Sequence, residues 1–271
     1  MENQIKLVVA DMDGTILNDH KVPPHDLPEV IEALSKQGVV FCAASGRQRY
    51  NVECKLKDVK TPFVTMGDNS AVIDYFGKRI YGKAIGRDVL KAVAELVRQY
   101  PDMDLCCSGP ENAYYEHDCE RVNTTLAEYY DNLILLDDVT TMPEEPFKIT
   151  IMDFVNPKER GLPLIRPLDP GYEVVLSGDP WIDINPFGIS KGEGVRKLMN
   201  EMGISADQVM AFGDNFNDET MLRLAGESYA MANAPEGIKA ICRHIAPSCN
   251  EEGVTRVLKE VFSLGEETNE N

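Results

Sequence analysis

The chain is poor in positive charge. Of 271 residues only 27 are Lys or Arg, against 45 Asp or Glu, which leaves a formal charge of −18. A surface with that acidic excess repels nucleic-acid phosphates, and no Lys/Arg-rich stretch offsets it, so nucleic acid is not an expected partner. No run of about 18 apolar residues occurs, which excludes a spanning helix and sets the membrane aside as a partner. The polar start, MENQIK, offers neither a long apolar stretch nor a small-residue cleavage site, so no secretory leader is expected. Cysteines number seven, with no C-x-x-C pair. That excludes the usual zinc and thioredoxin signatures. Scattered thiols suit the reducing cytoplasm, where they serve as small buried hydrophobes.

An apolar fraction of 43% is close to the globular norm of roughly 45–50%. Residues 5–10 (IKLVVA) form a short apolar run ending at Asp11, and residues 39–44 (VVFCAA) form another ending at Ser45. Such runs predict strands buried on both faces. Between them Leu27, Val30, Ile31 and Leu34 stand at helical spacing, closed by Gly38. A third strand is predicted at residues 63–66. The rhythm returns late, with a helix opened by Ser190-Lys191-Gly192-Glu193, whose S-x-x-E spacing predicts a capping box. A strand at 209–212 ends in Gly213-Asp214. Residues 254, 257, 258, 261 and 262 draw the apolar stripe of a last helix. An acidic tail, residues 266–271, is expected to fray. Strands alternating with helices imply right-handed crossovers and an α/β fold with a parallel sheet.

The middle breaks this rhythm. Residues 112–115, 148–152, 172–177 and 181–184 read as strands, the last two split by a Ser-Gly-Asp-Pro turn. We read an α+β insert at 83–183 between the two parts, 1–82 and 184–271, of one sheet domain. Tyr114, Tyr115 and Trp181 could serve as substrate platforms, but they read first as aromatic core of this insert. His117, between Glu116 and Asp118, reads as a solvated surface residue, and the other histidines show no sequence partner.

In open α/β sheets ligands bind beyond the carboxyl ends of the strands. Four loops fall there. Asp11-Met12-Asp13-Gly14-Thr15 places two carboxylates at i and i+2, an arrangement that is costly without a cation and that suits Mg²⁺. Ser45-Gly46-Arg47 offers a hydroxyl and a glycine N–H to phosphate oxygens. Lys191 puts an ammonium at the already positive start of a helix, a local conflict that a phosphate would resolve. Gly213-Asp214-Asn215-Phe216-Asn217-Asp218 gathers two carboxylates and two amides.

Together DMDGT, S-G-R, the lysine of ISKGEG and GDNFND resemble the four motifs of the haloacid dehalogenase phosphohydrolase superfamily. The stretch MLRLAGESYAMANAPEGIKAICRHIAPSCNEEGV is similar to the Cof subfamily. The resemblance implies a Rossmann-like core with a cap domain of the C2B type. It also implies a Mg²⁺-dependent phosphatase of small phosphorylated metabolites such as sugar phosphates. A sugar phosphomutase, or an idle phosphometabolite sensor, would use the same motifs. Asp11 is then the nucleophile and Asp13 the acid and base. The metal ligands would be Asp11, Asp214 and the backbone carbonyl of Asp13. Lys191, Ser45 and the N–H groups of Met12 and Gly46 would hold phosphoryl oxygens. Asn217 would touch substrate, and Asp218 would orient Lys191 or the ligands. Two departures stand out: Ser45 replaces the usual Thr, and Asp68-Asn69-Ser70-Ala71 stands where Asn-Gly-Ala is common, which leaves the role of that loop open. Oligomeric state is not legible.

Overall fold

The structure is a computed structural model that describes residues 4–127, 129–168 and 171–264; the tail 266–271 lies outside the described residues. The chain begins with β1 (Leu7–Asp11), β2 (Val40–Ala44), β3 (Val64–Gly67), β4 (Val72–Tyr75) and β5 (Lys78–Gly82). The middle supplies β6 (Met103–Ser108), β7 (Ala113–Tyr115), β8 (Leu133–Leu135), β9 (Lys148–Asp153), β10 (Tyr172–Leu176) and β11 (Trp181–Pro186). The end returns with β12 (Val209–Gly213), β13 (Glu227–Met231) and β14 (His244–Ala246). The helices are α1 (Leu27–Lys36), α2 (Arg49–Lys55), α3 (Arg87–Val97), α4 (Glu120–Ala127), α5 (Leu162–Ile165), α6 (Lys191–Met202), α7 (Glu219–Leu224), α8 (Glu236–Lys239) and α9 (Gly253–Val261).

Two sheets result. The larger has the order β14-β13-β12-β1-β2-β3-β4-β5. It is parallel from β14 to β3 and antiparallel at its β4–β5 edge. Alternate residues of β1 go to opposite faces, and both faces are covered. Val8 and Ala10 pack with α1 (Leu27, Val30, Ile31, Leu34) and α9 (Val254, Val257, Leu258). Leu7 and Val9 pack with Val195 and Leu198 of α6, Met221 and Leu222 of α7, and Ile238 of α8. This is why the sequence shows an unbroken apolar run with no period of two. Each such side chain contributes roughly 1.5–3 kcal/mol by leaving water.

The smaller sheet has the order β10-β11-β9-β6-β7-β8 and is antiparallel except at β7–β8. One of its faces is apolar: Leu105, Cys107, Ile149, Ile151, Ile182 and Ile184 pack under Leu90, Val93 and Val97 of α3. The alternating residues of β9 and β11, Lys148, Thr150, Asp183 and Asn185, fall on the opposite face.

Several elements differ from expectation. The β4–β5 hairpin, β6, β8 and β14 were not legible: β5 (KRIYG) is half exposed, and β8 and β14 are three residues each. The expected capping box forms by half. Ser190 Oγ accepts the Glu193 N–H at 3.2 Å, but the Glu193 carboxylate turns to Arg196 and Lys197, 3.6 Å from each. All seven cysteines are free, four of them buried (Cys42, Cys106, Cys107, Cys249) and Cys119 exposed.

Candidate active site

β1 lies between β2 and β12, so the chain leaves it in one direction and comes back on the other side. The crevice at such a switch point opens at the carboxyl end of the strand, where Asp11 stands. Gly14 turns the chain away with φ +79, and a Cβ there would overlap the Asp214 carboxylate. Thr15 Oγ1 donates to Asp214 Oδ1 at 3.1 Å. The loops after β1 and β12 are thus locked face to face.

Lys191 is fully buried. Its ammonium donates to Asp11 Oδ1 and, at 2.5 Å, to Asp218 Oδ1. Gly192 permits this placement, because a Cβ there would stand 2.7 Å from the Thr220 backbone. The other oxygen of Asp218 accepts the N–H groups of Asp214 (2.9 Å) and Asn215 (3.1 Å). Asp218 is therefore fully engaged in holding Lys191 and the β12 loop. Burial works against the Lys191 ammonium, but Asp11 and Asp218 outweigh it and raise its pKa. Burial, then Asp218, pushes Asp11 well above the carboxylate range against the pull of Lys191, with Asp214 adding to the rise. Burial and Asp218 likewise push Asp214 up to about 6.

Carboxylate oxygens of Asp11, Asp214 and Asp218 lie within 4.8 Å of one another. Two raised carboxylates with oxygen donors only fit a small hard cation such as Mg²⁺, whose charge would reverse both shifts. With Asp218 committed to Lys191, Asp11 and Asp214 are the side chains suited to hold it. The Asp13 side chain faces elsewhere. Its oxygens accept from Arg47 Nε (2.6 Å), Arg47 Nη2 (2.9 Å) and Lys21 Nζ (2.9 Å). Burial opposes ionisation of Asp13, but these two cations prevail and lower its pKa.

Above this floor, facing the smaller sheet, lies a cavity of about 680 Å³. Of the residues singled out from sequence, Asp11, Asp13, Ser45, Gly46, Lys191 and Asn217 line it. Met12 directs its side chain into the core below, so only its backbone is available to a ligand. Trp181 packs against the lid core of Val122, Leu126, Tyr130 and Met152, as its reading as core aromatic expects, and it also lines the cavity. Tyr114 is indeed core, buried with its hydroxyl donating to Glu144 at 2.9 Å. His117 is exposed, as expected, and is also paired with buried Asp104, and His25 and His244 pair with Glu252 and Glu227.

Sequence reasoning missed most of the lid wall: Tyr129, Tyr130, Lys148, Thr150, Asp183 and Asn185. Asp183 accepts from Thr150 Oγ1 at 2.7 Å and Ser177 Oγ at 2.6 Å. The available signal was the alternation K-I-T and W-I-D-I-N in two strands that each carry apolar residues on the other face. The loop after β3 also belongs to the site. Asn69 lines the cavity, and Asp68, Asn69 and Ser70 all take left-handed backbone, with φ of 50, 55 and 77. A glycine is the usual residue for such a conformation.

A buried carboxylate at a switch point, a lysine clamped to it and a cation-ready acid beside it have the chemistry that phosphoryl transfer on an α/β scaffold would need. The family model of haloacid dehalogenase-like hydrolases matches residues 8–258, and the chain belongs to that family. It is an enzyme, a hydrolase of the phosphoric-monoester kind for which its curated relatives are named. It is 30% identical over 262 residues to 5-amino-6-(5-phospho-D-ribitylamino)uracil phosphatase YbjI of Escherichia coli, covering 95% of this chain and 96% of that protein. It is 28% identical to the Bacillus subtilis phosphatase of the same description, YitU, covering 97% of this chain and all of that one. The crystal structure of SMU.1108c from Streptococcus mutans superposes with a TM-score of 0.84 at 27% identity, over 96% of this chain and 100% of that one. The fold is accordingly the α/β core of the family with a cap domain. Among the described residues no helix is long and apolar enough to cross a membrane.

Proposed function

We propose that the chain is a Mg²⁺-dependent cytoplasmic phosphatase of small phosphorylated metabolites, with a core of residues 1–82 and 184–271 under a lid of residues 83–183. The observation that carries the reading is the buried Asp11–Lys191–Asp218 assembly with Asp214 beside it. Lys191 fixes the Asp11 carboxylate at the cavity floor, where it attacks phosphorus in line. The bond to the leaving oxygen breaks as the aspartyl-phosphate forms. Lys191, Ser45 and the N–H groups of Met12 and Gly46 hold the equatorial oxygens, where transition-state charge spreads. A Mg²⁺ held by Asp11, Asp214 and the Asp13 carbonyl would neutralise charge between two anions.

Asp13 protonates the leaving oxygen and later takes a proton from the water that splits the intermediate. For this it has to shed Arg47 and Lys21, and an entering phosphoryl group offers both cations a second anion. Asn217 meets the substrate at the rim, and Asp218 keeps Lys191 in place.

The cavity lining offers three kinds of surface: a charged floor suited to phosphate, hydroxyl-binding groups (Thr150, Asp183, Asn185), and apolar surface from Trp181, Leu176 and Phe216. A phosphorylated sugar or polyol suits the first two, and a flat ring on its far end suits the third. The compound for which YbjI and YitU are named has that plan, and we extend the proposal to it.

The test is Asp11→Asn. Turnover of a phosphomonoester should vanish while the circular dichroism spectrum is kept; Mg²⁺-dependent hydrolysis surviving in this variant overturns the nucleophile. Chelation should silence the wild type and Mg²⁺ restore it. Product analysis on hexose and pentose phosphates should give inorganic phosphate, whereas an isomeric sugar phosphate would mark a mutase.

A further inference from the structure

The Ser45–Arg47 strap is tied to the loop and strand beside it through both backbone groups of Ser45 and the carbonyl of Arg47. Ser45 N–H donates to the Met66 carbonyl (2.8 Å), the Ser45 carbonyl accepts from Asn69 N–H (2.9 Å), and the Arg47 carbonyl accepts from Asp68 N–H (2.8 Å). The peptide unit joining Gly46 to Arg47 is held differently. Its N–H donates to Ser45 Oγ at 3.0 Å. Its carbonyl accepts from the lid, from Lys148 Nζ at 2.9 Å. Lys148 begins β9, is 5% exposed, and has Asp68 at 3.4 Å as its ionic partner. Asp68 is wholly buried, and neither of its side-chain oxygens makes a hydrogen bond. It therefore holds the ammonium in place by charge.

One peptide plane thus links a lid cation to the hydroxyl proposed to grip phosphate. A hydroxyl that accepts the Arg47 N–H has to point its own hydrogen elsewhere, and Ser45 lines the cavity. A cation on the carbonyl end of the peptide polarises the N–H end and strengthens that bond. Without the lid, Gly46 is the residue of the strap least able to keep its conformation.

We infer that Lys148 is a positioning residue: from the lid it fixes the Gly46–Arg47 peptide, and through it aims the Ser45 hydroxyl at the phosphoryl group, so the phosphate cradle is complete only with the lid seated. The inference rests on the phosphatase reading. It differs from a leaving-group contact in a decisive way, because it makes a lid residue matter to a ligand that has no leaving group.

The experiment uses the full chain with Mg²⁺, p-nitrophenyl phosphate as substrate and inorganic phosphate as competitive inhibitor. The variants are Lys148→Met, Ser45→Ala and both together. Lys148→Met should lower kcat and weaken inhibition by inorganic phosphate, each by about tenfold, and should cost less than about twofold in the Ser45→Ala background, since coupled residues are not additive. Lys148→Arg, which can still donate to the Gly46 carbonyl, should restore part of the loss. Unchanged phosphate inhibition, or losses that simply multiply in the double variant, overturns the inference. If Lys148→Met fails to fold, the pair Asp68→Asn/Lys148→Met removes both buried charges and is read by the same cycle. A wild type that neither hydrolyses the ester nor is inhibited by phosphate overturns the phosphatase reading and this inference with it. A competent wild type with additive variants overturns the inference alone.

Discussion

The floor and the wall of the cavity are built on different principles. The floor consists of loops at strand ends, and its charges are paired over short reach: Lys191 with Asp11 and Asp218, and Arg47 and Lys21 with Asp13. The wall consists of side chains standing on one face of an antiparallel sheet, joined by hydrogen bonds across strands such as Thr150 to Asp183. On the proposed function the floor would carry the reaction common to every substrate, and the wall, Lys148 excepted, would select the molecule that undergoes it. The strands of the wall are also held from their other side, by the apolar face under α3.

Breaking the floor should have the largest effect. Lys191→Met removes the cation between two buried carboxylates and should reduce kcat by at least about a thousandfold on every phosphomonoester, whatever its leaving group. Steady-state kinetics on substrates of differing size would show this; a loss confined to large substrates would place Lys191 in the wall.

The seam between floor and wall should show in pH. Burial, opposed by Lys148, pushes Asp68 up to about 6, so the folded state holds its proton more tightly than the unfolded chain does. Stability from this group is present at low pH and is lost as pH rises from about 4 to about 6, by up to ~3 kcal/mol. The difference in melting free energy between wild type and Asp68→Asn should move by that amount over this window, in the direction that disfavours wild type at the higher pH. A flat difference would place the carboxylate in water.

Changes in the wall should be smaller and selective. Trp181→Leu should cost about tenfold in kcat/KM for a substrate with a ring on its leaving group, and little for a small phosphate ester. Equal losses on both would make Trp181 part of the common machinery. The smallest effect is a gain. Ser70→Gly relieves a left-handed residue at φ 77 and should raise stability by ~0.5–1 kcal/mol in denaturant melts, with kcat unchanged.

The same division explains what could be read in advance. Asp11, Asp13, Ser45 and Asp214 stand next to strand ends, where a buried run stops and polar residues begin, and that boundary is visible in one dimension; Lys191 was legible instead as a cation at the capped start of α6. Asp13 was legible as a residue, but its capture by Arg47 needs two loops to meet. Lys148, Thr150, Asp183 and Asn185 left only the alternation along β9 and β11, which says that two faces differ but not which of them lines a cavity, and both strands are buried almost throughout. Trp181 is core on one flank and cavity lining on the other, and only its core role is legible from an aromatic beside an apolar strand. The half-formed capping box at Ser190 shows the limit of a local rule, since Glu193 had cationic neighbours one turn on.

The stretch 46–51 is gripped by three separate parts of the lid: Lys148 on the Gly46 carbonyl, Gly109 accepting from Gln48 at 2.9 Å, and Asp131 accepting from Asn51 at 2.6 Å. Lid and base are therefore not interchangeable parts. A chimera that grafts a relative's residues 83–183 onto this base would inherit bonding partners cut for another sequence, and it would need that relative's 46–51 segment to dock and turn over.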